Sequence, residues 1–447
     1  MPPQTMRKMP KWIGVSVLLA GVASVSAVGG AFLAMSLGSA PLLQSTLSPS
    51  EAAVFSQGDP IATANSLRLP RLTRPVNVLL MGIKVIKSDV EDYEGLNRDG
   101  YDSLVDSFDG LSDTMLMLRV DPRTQRITVM SIPRDTRTNV NGTPTKINEA
   151  NRDGGPALTA QSVSELMGGV AVDRYMRINV QGVEKLIDAL GGVEVTVPKD
   201  MKYQDDSQHL YINLKAGKQR LNGSKAMQFL RFRYDDKGDI GRVQRQQMLM
   251  RALVEQCLNP TTIARLPKIL SVIQSHVDTN LAVEELLALV SYGAQTARSD
   301  MQMLMLPGDF SSYEDYELSY WLPNYEKIDV LSEEYFGLAN THNVSDQSDR
   351  SALRVVIQDS TSDSVALQSL TNSLYDSGYF NVAVDPILNQ SLDETRIIAQ
   401  RGDITSANAI QEFMGIGKVR VESTGDLNSD ITIQLGQDWL DQHGAAL

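Results

Sequence analysis

Three short segments place polar residues at the ends of apolar runs, where folded proteins often build binding sites. Ser112-Asp113-Thr114 directly precedes one apolar run, and Ser131-Ile132-Pro133-Arg134-Asp135-Thr136 directly follows another. The third segment is Arg231-Phe232-Arg233, which the stretch 241–247 follows closely. Arginine offers a planar fork that matches two phosphate oxygens. The carboxylates of Asp113 and Asp135 could hold Mg²⁺ or accept a proton, although either could also be a turn or cap residue.

The third segment is locally basic within an acidic chain. Residues 218–251 contain nine basic and three acidic residues, a net charge of +6, whereas the whole chain has a formal charge of −13. Such a cluster suits a ligand with several negative charges, such as a pyrophosphate. The alternative is that the arginines form salt bridges to nearby aspartates on a solvated face. The acidic total argues against nucleic acid as a partner.

The spacing of the basic residues indicates which of them share a side. Arg231 and Arg233 are two positions apart and lie on one side if the chain is extended there. Arg242, Arg245 and Gln246 lie on one face of a helix. That face falls near the first turn, where free N–H groups and the helix dipole already favour an anion.

Cysteine and histidine are too few to build other common sites. The single cysteine, Cys257, excludes an internal disulfide and a cysteine-based zinc site. The four histidines are scattered without metal-ligand spacing. Any metal is therefore expected to have oxygen ligands.

The N-terminal end has the pattern of a membrane anchor. Three basic residues precede a run without charge from Ile13 to Leu37, which is long enough to cross roughly 30 Å of hydrocarbon. We expect residues 1–11 in the cytoplasm, a transmembrane helix over 12–37, and the remainder on the outer side of the cytoplasmic membrane. A cleaved signal peptide, cut near Ser39-Ala40, is the alternative and exports the chain as well.

The rest of the chain has an α/β pattern in two units. We expect a linker over 38–74, an α/β domain over 75–310 with a central mixed β-sheet flanked by helices, a second linker over 311–350, and a small C-terminal α/β domain over 351–447. The main strands are expected over Val76–Ile83, Thr114–Val120, Ile127–Ile132, Val193–Val197 and Met301–Leu306. The main helices are expected over Pro156–Met167, Val180–Leu190, Asn222–Leu230 and Arg242–Leu258, with two more between 261 and 295. The C-terminal unit is expected to have the order βαββαββ.

These segments, in this order after one anchor, resemble the LytR–CpsA–Psr family over about 75–255. The motifs that carry the resemblance are Asn77–Gly82, Ser112–Met115, Asp121-Pro122, Ser131–Thr136, Lys146–Asn148, Asp188–Val193, Leu221–Gly223, Arg231–Arg233 and Gly241–Gln247. The C-terminal unit is similar to the small domain that accompanies some family members.

The resemblance implies a glycopolymer transferase. Family enzymes take a glycopolymer from a polyprenyl pyrophosphate carrier, whose lipid lies in an apolar tunnel between sheet and helices, and attach it through a phosphodiester to a peptidoglycan hydroxyl. Asp113 would be a metal ligand and, with Arg134 and Asp135, part of the catalytic centre. Carried over by motif, the residues that contact phosphate would be Arg134, Lys146, Arg231, Arg233, Arg242, Arg245 and Gln246. A hydrolase that uses water as acceptor, and a non-catalytic protein that binds envelope polymers, remain as alternatives.

One departure from the family pattern concerns the metal. Many members have an aspartate just after the first strand's glycine, and it completes the carboxylate pair around Mg²⁺. Here Lys84 occupies that place in Gly82-Ile83-Lys84. Either Lys84 replaces part of the metal's charge, or an acid from the insertion takes over, with Asp109 as the first candidate and Asp106 as the second.

Overall fold

The structure is a computed structural model of the 447-residue chain. It describes residues 42–55, 60–65, 68–84, 107–205, 210–232, 238–257, 259–297, 300–312, 315–316, 318–338, 350–385, 391–400, 402–421, 425–426 and 429–443. The expected transmembrane helix over 12–37 lies outside these ranges. Among the helices in them, none is both long enough and apolar enough to cross a membrane.

The first unit alternates strands and helices along the chain. Its strands are β1 Ala62–Asn65, β2 Arg68–Leu72, β3 Val76–Lys84, β4 Leu111–Asp121, β5 Arg126–Ile132, β6 Arg137–Val140, β7 Thr143–Lys146, β8 Arg174–Asn179, β9 Val193–Val197, β10 Met201–Asp205, β11 Leu210–Leu214, β12 Gly217–Leu221, β13 Val277–Thr279, β14 Met301–Met305, β15 Gly308–Phe310 and β16 Trp321–Pro323. Its helices are α1 Pro49–Ala52, α2 Ala150–Leu166, α3 Val180–Leu190, α4 Gly223–Arg231, α5 Gly238–Cys257, α6 Leu266–His276, α7 Val283–Gln295 and α8 Tyr325–Phe336, with 3₁₀ turns at Ile147–Glu149 and Pro260–Arg265.

A six-stranded mixed sheet forms the centre of this unit, in the order β13-β8-β3-β4-β5-β14. β4 runs antiparallel to β3 and β5, whereas β8 is parallel to β3 and β14 is parallel to β5. Alternate residues of β3 enter different cores: Leu79 and Met81 pack on one face, and Val76 and Val78 pack on the other. This two-sided burial explains the continuous apolar runs, and the prediction of a mixed sheet flanked by helices is confirmed.

The local sequence explains where the flanking helices begin and end. α3 starts after Asn179, whose side chain accepts a hydrogen bond from the Gly182 N–H at 2.7 Å, and it ends at Gly191, whose φ of 80° suits glycine. In α2 the backbone is kinked at Gly154-Gly155, so the regular helix begins at Pro156 as expected.

Strand β8 of the six-stranded sheet was not predicted, because its sequence, Arg174–Asn179, contains two arginines. Both are buried in ion pairs: Arg174 with Glu285 of α7 at 2.7 Å, and Arg177 with Asp278 of β13 at 2.6 Å. A charge inside a sheet is tolerated only when it is paired, and the partners lie about a hundred residues further along the chain.

Two stretches expected to be linkers are partly folded. The stretch 38–74 contains α1, β1 and β2, and the stretch 311–350 contains β16 and α8. Trp321 and Ile328, from the second stretch, are 2% and 0% exposed in the main core. The apolar residues of these short elements stand among polar residues in the sequence, so their burial becomes evident only in the folded structure.

The C-terminal unit has the expected order and packs on the first. Its elements are β17 Arg354–Asp359, α9 Ser364–Asp376, β18 Asn381–Asp385, β19 Arg396–Ala399, α10 Ile404–Met414, β20 Lys418–Arg420, β21 Ile431–Leu435 and an additional helix, α11 Gln437–His443. The strands form one sheet in the order β18-β17-β21-β19-β20. Arg354 contacts Asp309 of the first unit at 3.1 Å, and buried residues of both units belong to one apolar cluster.

Candidate functional site

The turn after β5 and the start of β4 meet because these strands are antiparallel neighbours. Met115 pairs with Ile132, so Asp113 lies beside the turn Pro133-Arg134-Asp135. The Arg134 guanidinium donates to Asp113 Oδ1 through Nη1 at 2.9 Å and to Asp135 Oδ2 through Nε at 3.2 Å. One arginine thus fixes both carboxylates that the sequence singled out.

Lys146 completes an alternating network of charges. Its ammonium group donates to Asp135 Oδ1 at 2.8 Å, from the end of β7. The side chains of all four network residues, Asp113, Arg134, Asp135 and Lys146, are between 19% and 26% exposed. Burial alone would lower the pKa of Arg134, but attraction from Asp113 and Asp135 outweighs it and raises that pKa above its usual value. Arg134 therefore remains a cation throughout the working pH range.

A cleft opens next to this network, and helix α5 forms part of its wall. Gln246 and Gln247 line the cleft, and Gln247 Nε2 donates to Met305 Sδ at 2.9 Å. The lining residues are Asp113, Thr114, Met115, Ser131, Ile132, Pro133, Arg134, Asp135, Gln246, Gln247, Met250, Met305, Phe310, Ser319, Tyr320 and Trp321. The cleft therefore combines charged groups from the sheet with amide and apolar groups from α5.

Hydrogen bonds from Asn151 of α2 hold the start of β4 in place. Asn151 Nδ2 donates to the Phe108 and Gly110 carbonyls at 2.8 and 2.7 Å. Asn151 Oδ1 accepts from buried Arg177 at 3.1 Å. These bonds fix the chain just before Leu111, two residues from Asp113.

Of the remaining predicted arginines, the structure describes the side chains of Arg231 and Arg245, and neither lines the cleft. Arg231 is the last residue of α4 and is exposed, so the expected extended Arg-x-Arg geometry does not hold at its first member. The reason is that α4, capped by Asn222, continues one residue beyond the expected end at Leu230. Arg233 lies outside the described residues, and of Arg242 only the helical backbone is described.

Arg245 is buried and is not among the residues that line the cleft. It is 3% exposed, and its Nη2 donates to the Phe232 carbonyl at 2.5 Å. Its guanidinium carbon also lies 5.6 Å from the centroid of the Phe232 ring. In this conformation Arg245 connects the end of α4 to α5, whereas the next residue, Gln246, lines the cleft.

The expected Mg²⁺ ligands are only partly assembled. Asp113 lies in the cleft, whereas Asp109 lies on an exposed turn, where it accepts a hydrogen bond from Ser107 Oγ at 3.2 Å. Asp106 falls outside the described residues, as does the side chain of Lys84. No group of three or more His, Cys, Asp or Glu side chains is arranged to hold a metal within the part of the chain that the structure describes.

Asp113 and Asp135 still fit a cation that is shared with a substrate. Both are oxygen donors, and Arg134 already binds each of them. Mg²⁺ in phosphoryl-transfer sites commonly takes one or two carboxylates and completes its shell with phosphate oxygens and water. The donor set therefore suits an ion that arrives with a phosphorylated ligand.

Sequence reasoning missed the aromatic side of the cleft. Tyr320 and Trp321 come from the stretch 311–350, which was expected to be a linker, and Phe310 is the last residue of the domain expected over 75–310. The backbone N–H of Trp321 donates to the Asp135 carbonyl at 2.9 Å, which joins β16 to the turn that carries Arg134. The available signal was the density of aromatic residues in a polar stretch, Phe310, Tyr313, Tyr316, Tyr320 and Trp321.

Comparison with known proteins decides the family. Residues 47–336 match the LytR_cpsA_psr family, and residues 352–439 match the domain described as LytR cell envelope-related transcriptional attenuator. The chain belongs to the LytR–CpsA–Psr family. The resemblance seen in the motifs is thereby confirmed, and the match includes the folded parts of both expected linkers.

Relatives of this family member include named transferases. Polyisoprenyl-teichoic acid–peptidoglycan teichoic acid transferase TagV of Bacillus subtilis (strain 168) is 32% identical over 224 residues, 48% of this chain and 52% of the relative. The matched stretch thus spans about half the length of TagV. The TagU enzyme of Oceanobacillus iheyensis, with the same activity in its name, is 29% identical over 339 residues, 74% of this chain and 94% of the relative. The crystal structure of B. subtilis TagV is 26% identical, with a TM-score of 0.48, and covers 60% of this chain and 99% of that one.

Proposed function

We propose that this chain is a membrane-anchored transferase that moves a glycopolymer from a polyprenyl pyrophosphate carrier to a hydroxyl group of peptidoglycan outside the cytoplasmic membrane. The observation that carries the proposal is the Asp113–Arg134–Asp135–Lys146 network at the edge of a cleft. Relatives named as teichoic acid transferases to peptidoglycan support the choice of donor and acceptor. The charge-free run 13–37 supports the anchor.

The network suits in-line attack on a pyrophosphate. The oxygen of the acceptor hydroxyl forms a bond to the phosphorus next to the glycan, and the bond from that phosphorus to the bridging oxygen breaks. Polyprenyl phosphate leaves with that oxygen, and a carboxylate takes the proton of the hydroxyl. Such a reaction depends on positioning and on charge stabilisation more than on a covalent nucleophile.

Each residue of the network has a role in this scheme. Arg134 lies where it can bind a phosphate oxygen while it fixes both carboxylates. Asp135, held in turn by Lys146, is placed to orient the hydroxyl and receive its proton. Asp113 would contribute to holding Mg²⁺, which when bound neutralises charge on the phosphates. Gln246 can donate from the α5 wall.

The carrier lipid needs an apolar surface next to the cleft. Half-buried side chains of the sheet, including Leu80, Leu118 and Met303, pack with Met250 of α5 on the face opposite α2. We place the polyprenyl chain between this face and the helices that cover it. A membrane anchor would hold the enzyme beside a substrate that is itself confined to the membrane.

A comparison of three reactions tests the proposal. The full chain in detergent is incubated with a polyprenyl-pyrophosphoryl glycan, alone, with peptidoglycan oligomers, and with oligomers whose hydroxyls are acetylated. A coupled product that appears only with free hydroxyls supports transfer. Equal release of polyprenyl phosphate in all three reactions supports a hydrolase. Water can reach the carboxylates of the site, because they are partly exposed. Binding of donor without turnover in any of them supports a non-catalytic polymer-binding protein.

A further inference from the structure

An aromatic wall extends the cleft away from the charged network. We define it as Phe310, Tyr316, Tyr320 and Trp321. The Phe310 and Trp321 rings meet edge to face at 5.1 Å, and the Tyr316 and Tyr320 rings do so at 5.5 Å. Trp321 is 2% exposed and belongs to the core, whereas the two tyrosines are only half-buried. The aromatic wall therefore has a rigid base and a solvent-accessible outer part.

The aromatic wall is fixed relative to the catalytic turn. β15 and β16 pair antiparallel at its base, and the backbone N–H of Trp321 donates to the Asp135 carbonyl at 2.9 Å. Lys146 connects the two parts, because its ammonium nitrogen is 2.8 Å from Asp135 Oδ1 and 5.5 Å from the centroid of the Tyr320 ring. A ligand group that packs on the Tyr320 ring would therefore be separated from Asp135 by the Lys146 side chain alone.

The composition of this surface matches a sugar ring. In a β-linked N-acetylhexosamine of the gluco series the ring substituents are equatorial, so both faces of the ring present C–H groups, which pack well on an aromatic ring. Polar groups at the ring edge then need partners, and Lys146 and Arg137 lie within 6 Å of the tyrosine rings. Tyrosine combines an apolar face with a hydroxyl, which suits such an amphipathic ligand.

We propose that Tyr320 and Tyr316 form the subsite for a sugar ring of the acceptor glycan strand, which holds the attacking hydroxyl toward Asp135. This inference rests on the proposed transfer and names the part of the cleft that selects the acceptor. The donor's phosphates bind on the Arg134 side, and the acceptor ring binds on the tyrosine side. The hydroxyl and the phosphorus are thereby brought together across the charged network.

Titration with a short glycan tests the subsite without any chemistry. Chitotetraose, a β-1,4-linked tetramer of N-acetylglucosamine, is titrated into the full chain in detergent by calorimetry. Isomaltotetraose, an α-1,6-linked tetramer of similar size, is the matched ligand control. We expect Tyr320→Ala to weaken binding of chitotetraose roughly tenfold, as loss of one aromatic stacking contact implies, and Tyr320→Phe to retain it. Tyr375→Ala, at an exposed tyrosine of α9, is the matched protein control and should bind as the wild type does.

The transfer assay separates failure of this inference from failure of the proposed function. If the wild type couples donor to acceptor, Tyr320→Ala should raise the KM for the acceptor about tenfold and Tyr320→Phe should not. Equal acceptor KM values for Tyr320→Ala and Tyr375→Ala would overturn the subsite and leave the transferase intact. Equal affinity of the wild type for both tetrasaccharides would also overturn it. Binding of chitotetraose at Tyr320 without coupling would instead contradict the transferase.

Discussion

At the scale of single residues, Arg134 joins the two carboxylates of the site. Its Nη1 and Nε bond to Asp113 and Asp135, so a single planar group sets the distance between them. Its pKa is raised above the ordinary value, so deprotonation within the working pH range cannot break this arrangement. The geometry of the fork, and not the charge alone, is what the site needs.

Substitution of Arg134 by lysine separates charge from geometry. Arg134→Lys keeps the charge but cannot bond to both carboxylates from one plane, so we expect the rate of transfer to fall about 100-fold with a small change in thermal stability. The measurement is steady-state transfer together with the unfolding temperature. Arg123→Lys, at an arginine that is 72% exposed and pairs with Asp121, is the matched control and should be neutral. An Arg134→Lys enzyme as fast as the control would show that the fork has no catalytic role.

At the scale of elements, α7 is fastened to the sheet by a buried ion pair. Glu285 in the first turn of α7 binds Arg174 of β8 at 2.7 and 2.9 Å, and it also accepts from the Ala282 and Ile61 N–H groups. Burial alone would raise the pKa of Glu285, but the hydrogen bonds and the charge of Arg174 lower it overall, below its ordinary 4.5. The charged form is therefore the one that stabilises the fold.

The pH dependence of stability tests this pair. A carboxylate with a lowered pKa contributes stability above its unfolded pKa, near 4.5, and that contribution is lost as the pH falls through the folded pKa. We expect Glu285→Gln to cost about 3–5 kcal/mol at pH 7, since it leaves Arg174 buried without its counter-charge. Denaturant unfolding at pH 7 and pH 3.5 should show the cost shrinking at the lower pH. A cost that stays constant between the two would argue against an ionic role. Glu284→Gln, the neighbouring acid in the same turn, is the control.

The elements also show what the sequence could and could not reveal. Long apolar strands such as Val76–Lys84 were predicted to within a residue or two, because two-sided burial leaves a continuous apolar run. β8 was missed because Arg174 and Arg177 depend on partners distant in sequence. The same reasoning applies to the cleft. Asp113, Arg134 and Asp135 were recognisable at strand ends, whereas Tyr320 and Trp321 reach the site only through the fold of a polar stretch.

At the scale of the whole molecule, the chain that leaves the expected anchor is fixed to the sheet almost at once. The Thr279 N–H donates to the Leu43 carbonyl at 3.0 Å, and the Ser45 N–H donates to Asp278 Oδ1 at 2.6 Å. Arg177 then binds Ser45 Oγ at 2.7 Å. Only residues 38–42 separate the expected helix over 12–37 from Leu43, and five extended residues span at most about 18 Å. We therefore expect β13 and α6 to face the membrane.

Fluorescence quenching by lipid headgroups checks that orientation. In a Cys257→Ser background, one cysteine is introduced at Ser275, an exposed residue two positions before β13, or at exposed Ser369 in the C-terminal unit. A fluorophore on the full chain in lipid nanodiscs should be quenched by headgroup nitroxides more strongly at Ser275→Cys than at Ser369→Cys. Equal quenching at the two positions would contradict a fixed orientation.

The source of the attacking oxygen distinguishes transfer from hydrolysis, because the proposed chemistry places a glycan hydroxyl, and not water, against the pyrophosphate. The full chain is incubated in H₂¹⁸O with the polyprenyl-pyrophosphoryl glycan and peptidoglycan oligomers, and the masses of the products are measured by mass spectrometry. We predict a phosphodiester-linked product and polyprenyl phosphate, both without ¹⁸O. Incorporation of ¹⁸O into the glycan phosphate or the polyprenyl phosphate, with no coupled product, would show that water is the nucleophile and that the chain is not a transferase.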